Sequence, residues 1–469
     1  MDILDFATGL IEDKRPQLLA AADKVWEFAE TKFEEFKSAD VLQEILEHEG
    51  FKVQRDLADM STAFVGSYGQ GGPVVAILGE YDALSGLSQL AETAEPKPIV
   101  VGANGHGCGH NLLGVGALAA AIALRHYMDA TGLQGTVRYY GCPGEENGSG
   151  KAFMVRAGLF DDVDFALTWH PGTRTAVRSS SSLANYSVYY RFTGRSAHAA
   201  GAPHLGRSAL DAVELMSVGV NYLREHIIPE ARLHYAMTKT GGRSPNVVQA
   251  QAEVAYLIRA PRTPQVEEIY QRVNDVARGA ALMTGTKVEI IFDKACSNLI
   301  PNQTLERVLH ENVIKLGAPT WTPEELEFAR KVQASLTDAE LGNDRLTPAE
   351  GADDSPLHAS VRPFQDIPGM GGGSTDVGDV SWVTPTAQLR AATWAVGTPG
   401  HSWQVVTQGT TTYAHKGMLL AGKAIAATAA QVMADPELIQ RAKAELAERL
   451  AGEKYVSPIP SEVKPAPTR

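Results

Sequence analysis

The sequence predicts an α/β protein: a mostly parallel sheet covered by helices on both sides, interrupted by a smaller α+β domain. Three observations carry this. Strand-like runs alternate with helix-like runs through both outer parts of the chain. The middle switches to half-polar strands of period two with two amphipathic helices. After residue 296 the first style returns. The expected division is residues 1–185 with 297–469 for the main domain, and 186–296 for the insert.

Each element has its own signal. Residues 16–50 read as helical, with apolar positions at helical spacing through LLAAADKVWEFAE and SADVLQEILEHEG, and Gly50 as the stop. Candidate strands of the main sheet are 73–82 (PVVAILGEYD), 136–146 (TVRYYGCPGEE), 162–171 (DVDFALTWHP) and 391–401 (AATWAVGTPGH). Helices are expected over 111–129 and 151–157. In the insert, 187–194 (SVYYRFTG) and 252–260 (AEVAYLIRA) alternate as half-exposed strands, helices fall at 208–226 and 264–284, and KVEIIF closes the pattern. The segment 322–366 is polar and is expected to be an exposed, loop-rich insertion. The Pro-rich tail, SPIPSEVKPAPTR, is expected to be extended or disordered.

Composition narrows the function. The 469 residues are 44% hydrophobic and 21% charged, an ordinary globular mixture. The net charge of -13 argues against nucleic acid and against an anionic membrane surface as partners. An acidic total still allows an anionic small substrate, because a pocket can hold local positive charge. Cys108, Cys142 and Cys296 are too few and too odd in number for a disulfide framework. The opening residues lack the apolar core of a signal peptide, and the longest apolar run, 114–124, is too short to span a bilayer. A cytoplasmic location is expected.

The chemistry concentrates at the expected strand ends. One run ends in Glu80-Tyr81-Asp82, one in Glu145-Glu146, one at His170 and one at His401. NGHGCGHN places Cys108 and His110 just before a helix. In an open α/β sheet, ligands bind outside the carboxyl ends of the strands, so these groups should gather at one edge. A thiolate, three imidazoles and a carboxylate suit zinc, and tolerate manganese or cobalt. Cys108 and His110, two apart in extended chain, would point the same way. Glu145 and Glu146, adjacent in extended chain, would point oppositely. That division leaves Glu146 as a metal ligand and Glu145 as a general base beside an acidified water.

Singly, each of these residues has a structural explanation: a histidine at a strand end, a solvated Glu pair, a small buried thiol. Their joint occurrence favours metal. The other histidines, at 48, 126, 226, 234, 310, 358 and 415, are read as structural. GEENGSGK is not a phosphate loop, because Glu145 stands where the first glycine is required and Ala152 follows Lys151. No GxSxG elbow supports a serine hydrolase.

GEYDAL, NGHGCGHN, GCPGEENGSGK, DVDFALTWHP, SAHAAGAPHLGRSALDAV, GGRSPNVVQAQAEV and GTPGHSWQ, in this order over residues 22–421, together resemble the M20 family of metallopeptidases and amidohydrolases. The resemblance implies a catalytic domain interrupted by a lid or dimerisation domain. It implies Cys108, His110, Glu146, His170 and His401 as metal ligands, Glu145 as the catalytic glutamate and Asp82 as the aspartate supporting the metal site. It implies His198 as a lid histidine that reaches a neighbouring subunit's site to stabilise the oxyanion. It also implies Asn246 and Arg259 as lid residues that hold the substrate's carbonyl or free carboxylate; an arginine there is independently suited to clamp an anion. Many dinuclear members carry His-x-Asp where this chain has Glu80-Tyr81-Asp82, and Cys108 stands where other branches have aspartate, so one or two ions are implied. The activity implied is metal-dependent hydrolysis of an amide to an amino acid with a free carboxylate. An N-acyl or N-aroyl amino acid such as p-aminobenzoyl-glutamate is the first candidate and an acyl-aspartate conjugate the second. The partner implied is a second copy or a related subunit. The alternatives are a chain that needs that related partner for activity, and a dipeptidase.

Overall fold

A computed structural model describes residues 1–177, 179–344 and 355–467. The main sheet has seven strands. In chain order they begin with β1 (Lys52–Gln54), β2 (Phe64–Gln70), β3 (Val74–Glu80), β4 (Gly135–Cys142), β5 (Phe165–Gly172) and β6 (Ala176–Val177). A two-residue β7 (Ser180–Ser181) lies outside it, and the middle of the chain supplies β8 (Ala184–Thr193), β9 (Arg232–Lys239), β10 (Gln251–Ala260) and β11 (Lys287–Cys296). Then come β12 (Gly369–Met370), which pairs with β7, and β13 (Thr386–Ala392), which returns to the main sheet.

The main sheet runs β1-β2-β4-β3-β5-β13-β6. Its four central strands, β4, β3, β5 and β13, are mutually parallel, and the outer strands are antiparallel. Burial on both faces explains why β3 is apolar throughout its length up to Gly79. One face is covered by helices His110–Thr131, Thr412–Met433 and Gln303–Leu316. The other carries Gly150–Arg156 and Val377–Val383. The parallel register sets Glu80 opposite Cys142, and Ala392 opposite Gly172. The carboxyl ends therefore form one edge, and the functional side chains lie on it.

His110–Thr131 is apolar nearly all round because it is buried nearly all round. It closes on Gly132, which takes the left-handed conformation at φ 73°. It lies very close to the sheet: a Cβ at Gly116 would stand 2.7 Å from the ring of Trp169, which is itself buried and donates to Leu113 O at 3.0 Å.

The middle of the chain folds as its own antiparallel sheet, ordered β11-β8-β10-β9, with helices Ala209–Leu223 and Thr263–Thr284 on one face. The period-two alternation of β8 sends Val188, Tyr190 and Phe192 to those helices and leaves Ser187 and Tyr189 on the opposite face.

Several expectations need correction. The strand expected at 391–401 is Thr386–Ala392; its pairing with β5 ends at Ala392 opposite Gly172, where β5 itself ends, so His401 lies in the following loop. The edge strand β9 has no counterpart among the expected strands: RLHYAMTK alternates Leu233, Tyr235 and Met237 with more polar residues, and is exposed at all but Leu233. Within 322–366, residues Pro323–Gln333 form a helix and not a loop. Thr322 and Glu325 form its capping box, and Ala329 and Val332 are buried against the core. Residues 345–354 of that segment lie outside the described residues. The tail is extended but fixed: Ile459 is buried, Arg156 donates to Pro460 O at 2.8 Å and Val463 O at 2.9 Å, and Tyr455 OH donates to Asp379 Oδ1 at 2.9 Å.

Gly116→Ala is expected to cost about 1–3 kcal/mol, because the methyl meets a ring that has no room to move. Urea unfolding measures it; an unchanged midpoint would mean that the helix can slide away from β5.

Candidate metal centre and active site

The glycines of NGHGCGHN build the first part of the site. Gly109 takes φ 77°, and the chain turns at it so that His110 begins the long helix. Cys108 and His110 thus share a direction through a turn, not through the extended chain expected. A Cβ at Gly107 would stand 2.4 Å from Leu87 Cδ1, and Gly107 O accepts from His401 N at 2.8 Å. The loop therefore holds the His401 loop directly. His106, the motif's other histidine, is turned away to Val25 O at 2.9 Å and takes no part.

The second part follows β4. Gly144 at φ 63° starts a short helical turn, Glu145–Gly148. The two glutamates diverge because they sit on this turn, again not because the chain is extended. Glu146 N donates to Asp82 Oδ2 at 3.0 Å, while Asp82 Oδ1 meets His110 Nδ1 at 2.9 Å. That bond leaves His110 Nε2 as the free ring nitrogen. His170 is fixed the same way: Nδ1 meets Pro171 O at 2.7 Å, and Nε2 faces Cys108 Sγ at 3.4 Å. Such outer partners set the tautomer and aim of a metal-binding imidazole.

Three donor sets converge: Cys108 with His110 and His170, Cys108 with Glu146 and His401, and Glu80 with His110 and Glu145, each within 4.8 Å. Cys108 is common to the first two. Glu80 Oε2, His110 Nε2 and Glu146 Oε1 are buried without a hydrogen-bond partner, and Glu80 Oε2 stands 3.3 Å from His110 Nε2. Buried donors and acceptors are ordinarily paired. Orphaned atoms gathered around His110 Nε2, with Glu146 Oε1 at 4.0 Å, beside a thiol and further imidazoles, fit a divalent cation.

The electrostatics agree. Burial, with Arg390 and His110 adding to it, pushes His170 down to about 3, so it is a neutral imidazole and a ready ligand. Burial raises the pKa of Glu146, but His401 and His110 outweigh it and hold the group down to about 2. The Cys108 thiol and the Glu146 carboxylate push His401 up to about 10. Burial raises Cys108, and Glu146 adds to that; a dication reverses both effects, so cation binding and thiolate formation go together. For Glu145, burial raises the pKa well above the usual carboxylate range, and Glu80, Glu146 and Asp376 reinforce it against Lys151.

These groups open into a cavity of about 950 Å³ between the main sheet and the smaller one. Cys108, Glu145, Glu146, His170, His401 and Arg259 line it. His110 and Asp82 lie buried just behind. His198 and Asn246 do not reach it. They sit together on exposed segments of the smaller domain, where Ala199 N donates to Asn246 O at 2.9 Å and His198 bridges Val247.

The same arrangement contains residues to which the sequence pattern assigns no role. Lys151 is fully buried; its Nζ is 2.8 Å from Glu80 Oε1 and 2.6 Å from Asp376 Oδ1. Burial alone would lower the pKa of Lys151, but Asp376 and Glu80 hold it well above the ordinary lysine range. Asp376 follows a glycine run, 371–373, in the same segment as Ser374, whose hydroxyl accepts from Arg259 Nη1 at 2.9 Å. The available signal was the lysine of GEENGSGK beside an unpaired acidic strand end. His234, read as structural, also lines the cavity.

A family model for peptidase family M20/M25/M40 matches residues 76–466. The chain belongs to this family. It is a hydrolase of the M20 type, built on the family's α/β sheet with an additional domain. It is 51% identical to one subunit, designated B, of the p-aminobenzoyl-glutamate hydrolase of Escherichia coli, over 100% of both chains. It is 28% identical to the Xaa-Arg dipeptidase of Mus musculus, over 96% of this chain and 94% of that one. Among solved structures, an aminobenzoyl-glutamate utilization protein from Klebsiella pneumoniae superposes with a TM-score of 0.58 at 17% identity, covering 90% of this chain and 97% of that one. A dinuclear metal-binding M20 peptidase from Bacillus subtilis superposes at 0.56 and 16%, covering 90% and 99%.

Lys151→Met leaves Glu80 and Asp376 as buried carboxylates without their cation. The expected loss is about 3–5 kcal/mol in urea unfolding. A loss under about 1 kcal/mol would show that the two acids find other partners.

Proposed function

We propose that this M20 chain hydrolyses the amide of an N-acyl or N-aroyl amino acid that carries a free carboxylate. A p-aminobenzoyl-glutamate-like compound is the first substrate and an acyl-aspartate conjugate the second. The observation that carries this reading is the position of Glu145: on the cavity wall, next to the donor sets that share Cys108, and across from Arg259. The full-length likeness to the E. coli p-aminobenzoyl-glutamate hydrolase chain supports it.

In this reading Cys108, His110, Glu146, His170 and His401 hold one or two ions of zinc, manganese or cobalt. A divalent ion there supplies Lewis-acid charge and makes a water more acidic. Glu145 takes the proton of the attacking water and returns it to the departing amine. Burial and the neighbouring Glu80, Glu146 and Asp376 raise its pKa, the direction that makes its carboxylate a stronger base. Asp82 holds His110 and the Glu146 amide in place. Arg259 binds the free carboxylate from the smaller domain, residues 186–296, acting as a lid. His198 and Asn246, remote from their own cavity, complete the site of a neighbouring protomer, where His198 stabilises the oxyanion. Exposed Leu215, Val218 and Tyr222 on the lid helix, with Tyr235 and Met237 on the edge strand β9, support a docked second protomer. That protomer is a second copy or a related chain. The three free cysteines support a cytoplasmic location.

Two other readings have specific support. The E. coli relative is one subunit of a hydrolase, and the subunit designated A of that hydrolase is 29% identical to this chain over 52% of this chain's length. This favours dependence on a related partner. Likeness to the Xaa-Arg dipeptidase favours a peptide substrate with a free α-amine. Activity of the purified chain alone separates the first, and a requirement for the α-amine the second.

Glu145→Gln is expected to lower kcat by about 10²–10⁴-fold while metal content, read by atomic emission, stays at the wild-type level. Full activity in that variant would remove Glu145 from the base role. Chelation should abolish turnover, and zinc, manganese or cobalt should restore it; turnover that persists without metal would end the metal-centre reading. Mixing inactive His198→Ala and Glu145→Gln chains should restore part of the activity if His198 acts across protomers, because one site of the mixed dimer is intact. No recovery after the chains have exchanged would show that His198 does not act across protomers.

A further inference from the structure

A second lid cation faces the cavity without a negative partner. Lys294, on β11, is 8% exposed, and its ammonium donates to the main-chain oxygen of Glu146 at 3.2 Å. That acceptor is neutral, and among the described residues no carboxylate forms an ion pair with this lysine. The other charges nearby are matched: Asp293 with Lys32 at 3.2 Å, and Asp376 and Glu80 with Lys151. Arg259 shares the condition of Lys294. Its hydrogen-bond acceptor is the Ser374 hydroxyl, and its Nε is buried with no partner.

The strand is built to put Lys294 there. The pairing of β11 with β8 shifts between Phe292 and Lys294, and Asp293 falls outside the register. In a regular strand, neighbours point to opposite faces. Here the bulge brings both Asp293 and Lys294 to the cavity, the usual effect of such an irregularity on side-chain aim. On β8, Lys294 pairs with Ser187 and Arg259 pairs with Asn185, so the two cations flank that strand two residues apart. Their backbones stand roughly 12 Å apart, with both side chains directed into one cavity. A buried ammonium served by one neutral acceptor is costly until an anion joins it.

We propose that Lys294 is a specificity-determining residue that receives a second carboxylate of the substrate. Arg259 takes one carboxylate and Lys294 the other, so the amino acid released is a dicarboxylic one. The inference rests on the amide-hydrolase reading above and narrows its substrate class to acylated acidic amino acids.

The test compares kcat/KM for p-aminobenzoyl-glutamate and its isostere p-aminobenzoyl-glutamine, using the metal-loaded full chain with any partner its activity requires. The wild type should prefer the acid by about tenfold or more, because the amide leaves the ammonium unmatched. Lys294→Gln should bring the ratio close to one, chiefly through KM, and Lys294→Arg should retain a preference for the acid. A structural role, through the Glu146 carbonyl, would lower both substrates together and keep the ratio; that result overturns the proposal. So does a wild type that does not distinguish the pair. Should the Gln variant fail to fold, as read by its thermal transition, the Arg variant decides: loss of the acid preference with turnover intact overturns the proposal. A wild type that cleaves neither compound overturns the amide-hydrolase reading itself, and this inference with it.

Discussion

The geometry of the centre depends on one buried carboxylate. Asp82 stands just past the end of β3 and accepts from His110 on one oxygen and from the Glu146 amide on the other. Those two partners come from different segments, the helix that follows the glycine loop and the turn that follows β4. Without Asp82 the imidazole would lose its fixed tautomer, and the glutamate turn would lose its tie to the sheet. The carboxylate does this at almost no exposure, so water does not compete for its oxygens. Glu35 backs the same turn from the other side: it accepts from Gly144 N at 2.9 Å and from the Thr62 hydroxyl at 3.0 Å.

Much of this is legible in the chain. β3, β4 and β5 stand out as apolar runs because both faces of a parallel sheet are covered. The convergence of Cys108, His110, Glu146 and His170 follows from strands that all point one way. What is not legible has local causes. Extended-chain geometry fails for Cys108–His110 and Glu145–Glu146 because Gly109 and Gly144 turn the backbone left-handed, which spacing alone does not reveal. β13 starts earlier than its apolar residues suggest, because its polar opening, TAQLR, lacks the signal of its neighbours. β9 shows its alternation only in Leu233, Tyr235 and Met237, three residues between a charged Arg232 and Lys239, the short and charged style of an edge strand. Lys151 sits in a failed phosphate motif, and only the fold reveals that Glu80 and Asp376 surround it.

The cavity sorts its charges by pairing them. Lys151 neutralises Glu80 and Asp376 beneath the site, and Lys32 neutralises Asp293 at its side. This leaves Glu145 and Glu146 as acids beside the donor sets, and Arg259 and Lys294 as cations on the smaller sheet's side of the cavity. An acidic protein thereby holds two cations on one wall of the cavity and keeps the opposite, donor-rich wall anionic. Under the proposed function the two sheets divide the work: the main one holds the donors, and the smaller one supplies the contacts that read the ligand.

The C-terminal residues are part of what seats the centre. From composition, the Pro-rich stretch after residue 454 invites removal, or replacement by an affinity tag. Yet Ile459 plugs the core beside helix Gly150–Arg156, and the carbonyls of Pro460 and Val463 cap the guanidinium at that helix's end. The first turn of the same helix carries Lys151. Trimming the tail therefore amounts to a core deletion about two turns from the reacting groups. A truncated preparation that loses activity would report on that helix's seating and not on the chemistry.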